Sequence, residues 1–302
     1  MRIVITGGTG LIGSRLIPTL VHEGYQVLVL ARNTVKAKER LGTNVEIKKW
    51  NPLETGLDSE TLEGCYGVVN LAGETINSRW TAARKERILN SRIETTAGLV
   101  KAMAHVKNRP KVFISASAVG YYGPRGDEEL SETAPVGVDF LATVCSKWEE
   151  EALKAQDLGV RVVLLRLGVV LASEGGALQQ MLLPYRLFAG GPVGSGRQWF
   201  SWIHLEDLMK VIQYALINNT LEGPVNATAP QPVSNQEFSR ILGQVLYRPS
   251  WLPVPAFMMR LAFGEMAGML LNGQRVIPEK LVRSGFEFKY PSLRQTLENL
   301  LG

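Results

Sequence analysis

Over residues 1–170, short β-branched runs alternate with longer stretches in which apolar residues return every three to four positions. That rhythm belongs to βαβ units wound around a parallel sheet covered on both faces. Arg2–Thr6, Gln26–Ala31, Val45–Trp50, Gly67–Leu71, Lys111–Ser115 and Arg161–Leu167 predict strands, and Ile12–His22, Ala83–His105 and Phe140–Gln156 predict helices. The pattern as a whole predicts an α/β fold with a doubly wound parallel sheet.

Beyond Leu171 the alternation breaks down. Gly175, Gly176, Gly190, Gly191, Gly194 and Gly196 punctuate a segment that also carries Trp199, Phe200 and Trp202, and Pro230–Gly302 holds seven prolines and several short helical patterns. The expected division is therefore a nucleotide-binding domain made of 1–170 and 204–229, with 171–203 and 230–302 forming a smaller C-terminal lobe. The Met- and Phe-rich Phe257–Leu271 reads as packing within that lobe rather than as a membrane or partner helix. No run approaches ~20 apolar residues, so no membrane span is expected.

Composition narrows the picture. With 302 residues, 45% of them hydrophobic and 20% charged, the chain can bury a sizeable core. A net charge of +5 comes from 33 basic residues scattered among 28 acidic ones without a basic run, which argues against a nucleic-acid partner. Cys65 and Cys145 form neither a disulfide framework nor a metal set, and the three histidines are dispersed, so a reducing, cytoplasmic setting and no metal are expected. The opening apolar run is broken at once by Gly7 and Gly8, unlike a signal peptide.

The candidate chemistry begins where the first strand ends. Ile3-Val4-Ile5-Thr6 leads straight into Gly7-Gly8-Thr9-Gly10-Leu11-Ile12-Gly13, and a helix starts inside that run. Glycines there let the backbone turn tightly and approach a pyrophosphate, whose charge is met by free amides and the positive end of the helix dipole. Gly7, Thr9, Gly10, Leu11, Ile12 and Gly13 are the residues expected against a dinucleotide. The end of the second strand reads Leu30-Ala31-Arg32-Asn33. A carboxylate for the ribose 2′-hydroxyl of NAD is missing, while Arg32 offers a guanidinium to the 2′-phosphate of NADP or else is a solvated surface residue. Leu71-Ala72-Gly73, small residues at the carboxyl edge of the sheet, would let the cofactor pass close to the main chain.

These stretches, with Ser115-Ala116-Ser117-Ala118, Asn90–Thr96, Gly190–Gly196, Phe200–Leu208 and Gly285–Pro291, make the chain resemble the extended, epimerase-like short-chain dehydrogenase/reductases. More narrowly it is similar to their atypical "epimerase family" group, also labelled nucleoside-diphosphate-sugar epimerase or SulA-like cell-division protein. The resemblance implies a Rossmann-type fold, NADP(H) binding, an unidentified small-molecule substrate, and cofactor contacts from Arg92 and Val169 as well. It also implies a tyrosine acid/base with a lysine four residues later and a serine after the fifth strand. Ser117 and Lys147 stand at the serine and lysine positions, but the tyrosine position is Thr143. A threonine hydroxyl is too weak an acid to replace a phenol. Tyr121 and Tyr122 are the candidate substitutes, or shapers of the substrate pocket. Two functions remain open: an NADP(H)-dependent oxidoreductase or epimerase-like enzyme, and a silent NADP(H)-binding regulator, as in cell-division control. His204, just before Glu206 and Asp207, reads as structural or pocket-lining.

Overall fold

The computed structural model describes residues 1–302. In chain order, the first half runs β1 (Arg2–Thr6), α1 (Gly13–His22), β2 (Gln26–Ala31), α2 (Thr34–Leu41), β3 (Glu46–Lys49), β4 (Gly67–Asn70), α3 (Ala82–Ala104), β5 (Val112–Ala118), β6 (Glu129–Leu130) and α4 (Phe140–Leu153). Next come β7 (Arg161–Leu167), β8 (Val169–Leu171), α5 (Gly176–Arg186), β9 (Trp199–Phe200), β10 (Trp202–His204), α6 (Leu205–Ile217) and β11 (Gly223–Ala227). The chain ends with β12 (Val233–Ser234), α7 (Asn235–Leu246), α8 (Ala256–Phe263), α9 (Ala267–Leu271), β13 (Arg275–Val276), α10 (Glu279–Arg283) and α11 (Leu293–Leu301).

Seven strands form one parallel sheet in the order β11-β7-β5-β4-β1-β2-β3. This is the Rossmann-type doubly wound arrangement, with helices on both faces. The winding reverses between β1 and β4, which opens a crevice at their carboxyl ends. One face buries Ile3, Ile5, Ile114 and Leu165 against Leu16 and Leu20 of α1 and Leu208 and Ile212 of α6. The other buries Val4, Val68, Phe113 and Leu164 against Leu99 and Met103 of α3 and Ala152 of α4. Strands that are apolar on both faces are what such a sandwich requires.

The expected strands are present with ends moved by a few residues; β5 runs on to Ala118. Among the elements that escaped the hydrophobic pattern are α2 and β11. α2 buries only Ala37 and depends on Asn33, whose side chain accepts from Lys36 N, to start it. β11 begins Gly-Pro, a strand-poor opening, and is held by pairing with β7. A separate apolar cluster around Leu171, Tyr185, Trp202, Phe238, Leu242 and Leu297 joins α5, α7 and α11. The reading of Phe257–Leu271 as packing needs correction: Met266 and Ala267 are buried, but no residue of α8 is. No helix is long and apolar enough to cross a membrane.

Candidate cofactor site and its neighbouring polar network

The loop between β1 and α1 is shaped by what its glycines leave out. Gly7 has φ +71°, and a Cβ there would lie 2.5 Å from the carbonyl of Leu71. A Cβ on Gly13 would lie 2.5 Å from Gly7 O, and one on Gly8 would meet Val29 and Ile17 below 3 Å. These three glycines let β1, β2, β4 and α1 close on one another. Gly10 differs: its Cβ would meet only Gly7 O, at 3.2 Å, and the residue is exposed. It is the glycine that faces outward, where a ligand would approach. Thr9, Leu11 and Ile12 beside it are half-buried, and no side chain caps α1. Ser14 and Arg15 already bond Gly10 O and Ile12 O, but the amides of Leu11, Ile12 and Gly13 have no acceptor in the protein and remain for an anion. This cradle fits a pyrophosphate.

Arg32 follows β2 directly and is exposed, with Asn33 rather than a carboxylate beside it. On the other side of the crevice, Leu71 and Ala72 lie against Gly7, and Gly73 touches Arg92: a Cβ on Gly73 would come within 3.1 Å of the guanidinium carbon. Arg92 donates to Ile88 O at 2.9 Å and Glu74 O at 3.2 Å, and its guanidinium lies 5.1 Å from the Trp148 ring. Burial draws its pKa below the ordinary arginine value. Beneath the crevice, Asn70 accepts from Thr6 Oγ1 at 2.6 Å and donates to Thr96 Oγ1 at 2.9 Å; Thr96 also accepts from Trp148 Nε1 at 3.0 Å. This buried chain fixes the ends of β1 and β4 against α3 and α4.

The expected catalytic residues separate into two groups. Ser117, Arg166 and Asn226 sit side by side in register on β5, β7 and β11. Ser117 Oγ donates to Glu149 Oε1 at 2.6 Å, and Arg166 clamps both oxygens of that carboxylate at 2.9 and 2.8 Å. Arg166 also donates to Tyr122 Oη at 3.0 Å, and Tyr122 donates to Asn226 Oδ1 at 2.6 Å. Burial pushes the Tyr122 phenol up to about 12. Burial also works against the Arg166 charge, but Glu149 holds its pKa above the usual value. Ser117 and Tyr122 thus sit inside a buried network, their hydroxyl protons committed to Glu149 and Asn226. Tyr121 instead keeps part of its surface open, with the Arg166 guanidinium 3.5 Å from its ring centroid.

Thr143 and Lys147 form the second group, exposed one turn apart on α4. The Thr143 hydroxyl bonds back to Asp139 O at 3.0 Å. Between them Cys145 turns inward, and burial pushes its thiol up to about 12. Val169 is half-buried just past β7, its amide held by Ser201 O at 2.8 Å. His204 caps α6 by accepting from Glu206 N, stacks on Tyr290 at 3.9 Å between centroids and pairs through Nε2 with Asn299. Arg166 and Glu149 were missed from sequence. The signal available was an arginine inside the otherwise apolar strand Arg161–Leu167.

The profile of the family described as NAD dependent epimerase/dehydratase matches residues 3–227 of this chain. The chain belongs to that family. Residues 254–300 match a second family, described as Domain of unknown function (DUF1731). Among relatives, the chain is 43% identical over 306 residues to the chloroplastic "Epimerase family protein SDR39U1 homolog" of Arabidopsis thaliana, covering 100% of this chain and 87% of that protein. It is 41% identical to "Epimerase family protein YfhF" of Bacillus subtilis (strain 168), covering 100% and 98%. Among solved structures, human epimerase family protein SDR39U1 (isoform2) with NADPH superposes with a TM-score of 0.88 at 36% identity, covering 99% of both chains.

Proposed function

We propose that this protein is an NADP(H)-dependent oxidoreductase or epimerase-like enzyme acting on a small substrate without the usual tyrosine. The observation that carries the cofactor choice is Arg32, directly after β2 beside the uncapped glycine turn, where no carboxylate stands to favour an unphosphorylated ribose. The human relative solved with NADPH supports it. In this reading the amides of the Gly7–Gly13 turn hold the pyrophosphate and Arg32 meets the 2′-phosphate. Leu71, Ala72, Gly73, Arg92 and Val169 line the path of the nucleotide, and Lys147 bonds the nicotinamide ribose. When bound, NADP(H) supplies hydride exchange.

The chain's own part is to orient the substrate and manage its proton. Ser117 and Tyr122 are assigned positioning roles, because their hydroxyls are already spent within the Glu149–Arg166 network. Tyr121, still partly open, is the phenol assigned to the substrate oxygen. Calorimetry tests the cofactor assignment: Arg32→Ala is expected to weaken NADP⁺ roughly ten- to a hundredfold while leaving NAD⁺ unchanged. Equal weakening of both would remove Arg32 from the 2′-phosphate.

Thr143 favours a second reading, a protein that binds NADP(H) and reports its state without turnover. NADPH absorbance followed against a panel of carbonyls and sugar nucleotides separates the two. Oxidation that falls in Tyr121→Phe supports the enzyme, and tight binding without consumption supports the reporter.

A further inference from the structure

α8 has the composition of a core helix, yet none of its eight residues is buried. It packs on the turn Gly264–Met266 and on α9, and turns Phe257, Met258 and Leu261 outward; Phe257 is 68% and Leu261 78% exposed. The extended segment before it adds Trp251, 74% exposed, and Leu252. That segment is bonded to the loop after α5, through Leu252 N to Gly190 O at 3.2 Å and Val254 N to Pro192 O at 2.8 Å. The end of α5 continues the surface with Leu183, Leu187 and Phe188, over whose ring the Arg248 guanidinium lies at 4.6 Å. Large apolar side chains are thus gathered at one end of the lobe, beyond the scattered exposure that a monomer normally shows.

The charges decide what would cover them. Residues 183–188 and 247–263 contain Arg186, Arg248 and Arg260 and no aspartate or glutamate. A second copy docked face to face about a two-fold axis would set these arginines against their own equivalents, with no carboxylate within the patch to answer them. An exposed tryptophan, phenylalanines and leucines interspersed with arginines on a protruding helix suit a surface that is apolar within and anionic at its face. We infer that α8, Trp251 and the end of α5 form a peripheral docking surface for an anionic lipid bilayer. The chain does not cross it: the side chains enter at the headgroup level, and the arginines meet lipid phosphates. This inference does not depend on how the cofactor edge is used.

The test is co-sedimentation of the full chain with vesicles of phosphatidylcholine alone and of phosphatidylcholine mixed with phosphatidylglycerol, at low and high salt. Binding to the anionic vesicles at least roughly tenfold stronger than to neutral ones, weakened by salt, is expected. Phe257→Ser with Leu261→Ser, and separately Arg248→Gln with Arg260→Gln, should each lower that binding. NADPH binding, measured alongside, reports that the variants fold. A blue shift of tryptophan emission on anionic vesicles, lost in Trp251→Phe, would locate the contact. Absence of wild-type binding, or equal binding to both vesicles, overturns the inference whatever the variants do. So does a wild-type dimer in light scattering that becomes monomeric in Phe257→Ser with Leu261→Ser, since a second copy would then own the surface.

Discussion

At the glycine turn the site is made of main chain, and at the carboxyl ends of β5 and β7 it is made of side chains. A Cβ on Gly7 would strike the Leu71 carbonyl and one on Gly13 would strike Gly7 O, so few sequences can build that turn. The neighbouring polar positions obey no such steric rule. Thr143 stands where a phenol would be expected, and Ser117 and Tyr122 donate their protons to Glu149 and Asn226. Backbone geometry tolerates little substitution, whereas the polar positions are bound by pairing: they can vary only where each buried charge keeps its partner. That contrast lets a nucleotide cradle persist while the polar positions beside it vary.

The contrast can be broken most severely at Arg166. Arg166→Met leaves the Glu149 carboxylate buried without its partner and should cost about 3–5 kcal/mol in denaturant unfolding. A much smaller loss would mean that the network is looser than its distances imply. Gly7→Ala comes next. It combines positive φ with a main-chain clash and should cost about 2–4 kcal/mol and abolish detectable NADPH binding, whereas Gly10→Ala should spare stability.

Smaller effects sharpen the picture. Burial lowers the His204 pKa below its ordinary 6.5, so the unfolded chain takes up a proton before the folded one does. The stability linked to His204 is whole above pH 6.5 and is lost as pH falls from there through the folded value. Wild type should therefore lose about 2 °C more in melting temperature than His204→Gln between neutral and mildly acidic pH. Lys147→Met should leave the melting temperature nearly unchanged, the residue being exposed, but weaken NADPH roughly tenfold, the loss of one charge-assisted hydrogen bond. No change in affinity would make Lys147 a surface lysine.

What could be read from the sequence follows the same division. Strands buried on both faces announce themselves as apolar runs, and the turn announces itself because its sterics admit only glycine at Gly7 and Gly13. The adjacency of Ser117, Arg166 and Asn226 could not be read, because it depends on the register of three strands far apart in the chain. Nor could the exposure of α8. An apolar helix looks alike in sequence whether a neighbour covers it or not.

Glu132 gives the two parts of the molecule a common anchor. One of its carboxylate oxygens accepts the amide of Asn226, in the central sheet, at 3.0 Å and the amide of Lys280, at the start of α10, at 3.2 Å. Asn226 in turn reaches Ile277 O at 2.9 Å. Hinge bending between the sheet and α10 would take one of these two donors from a buried carboxylate oxygen. Swinging α10 away from the sheet to open the molecule is opposed by that loss.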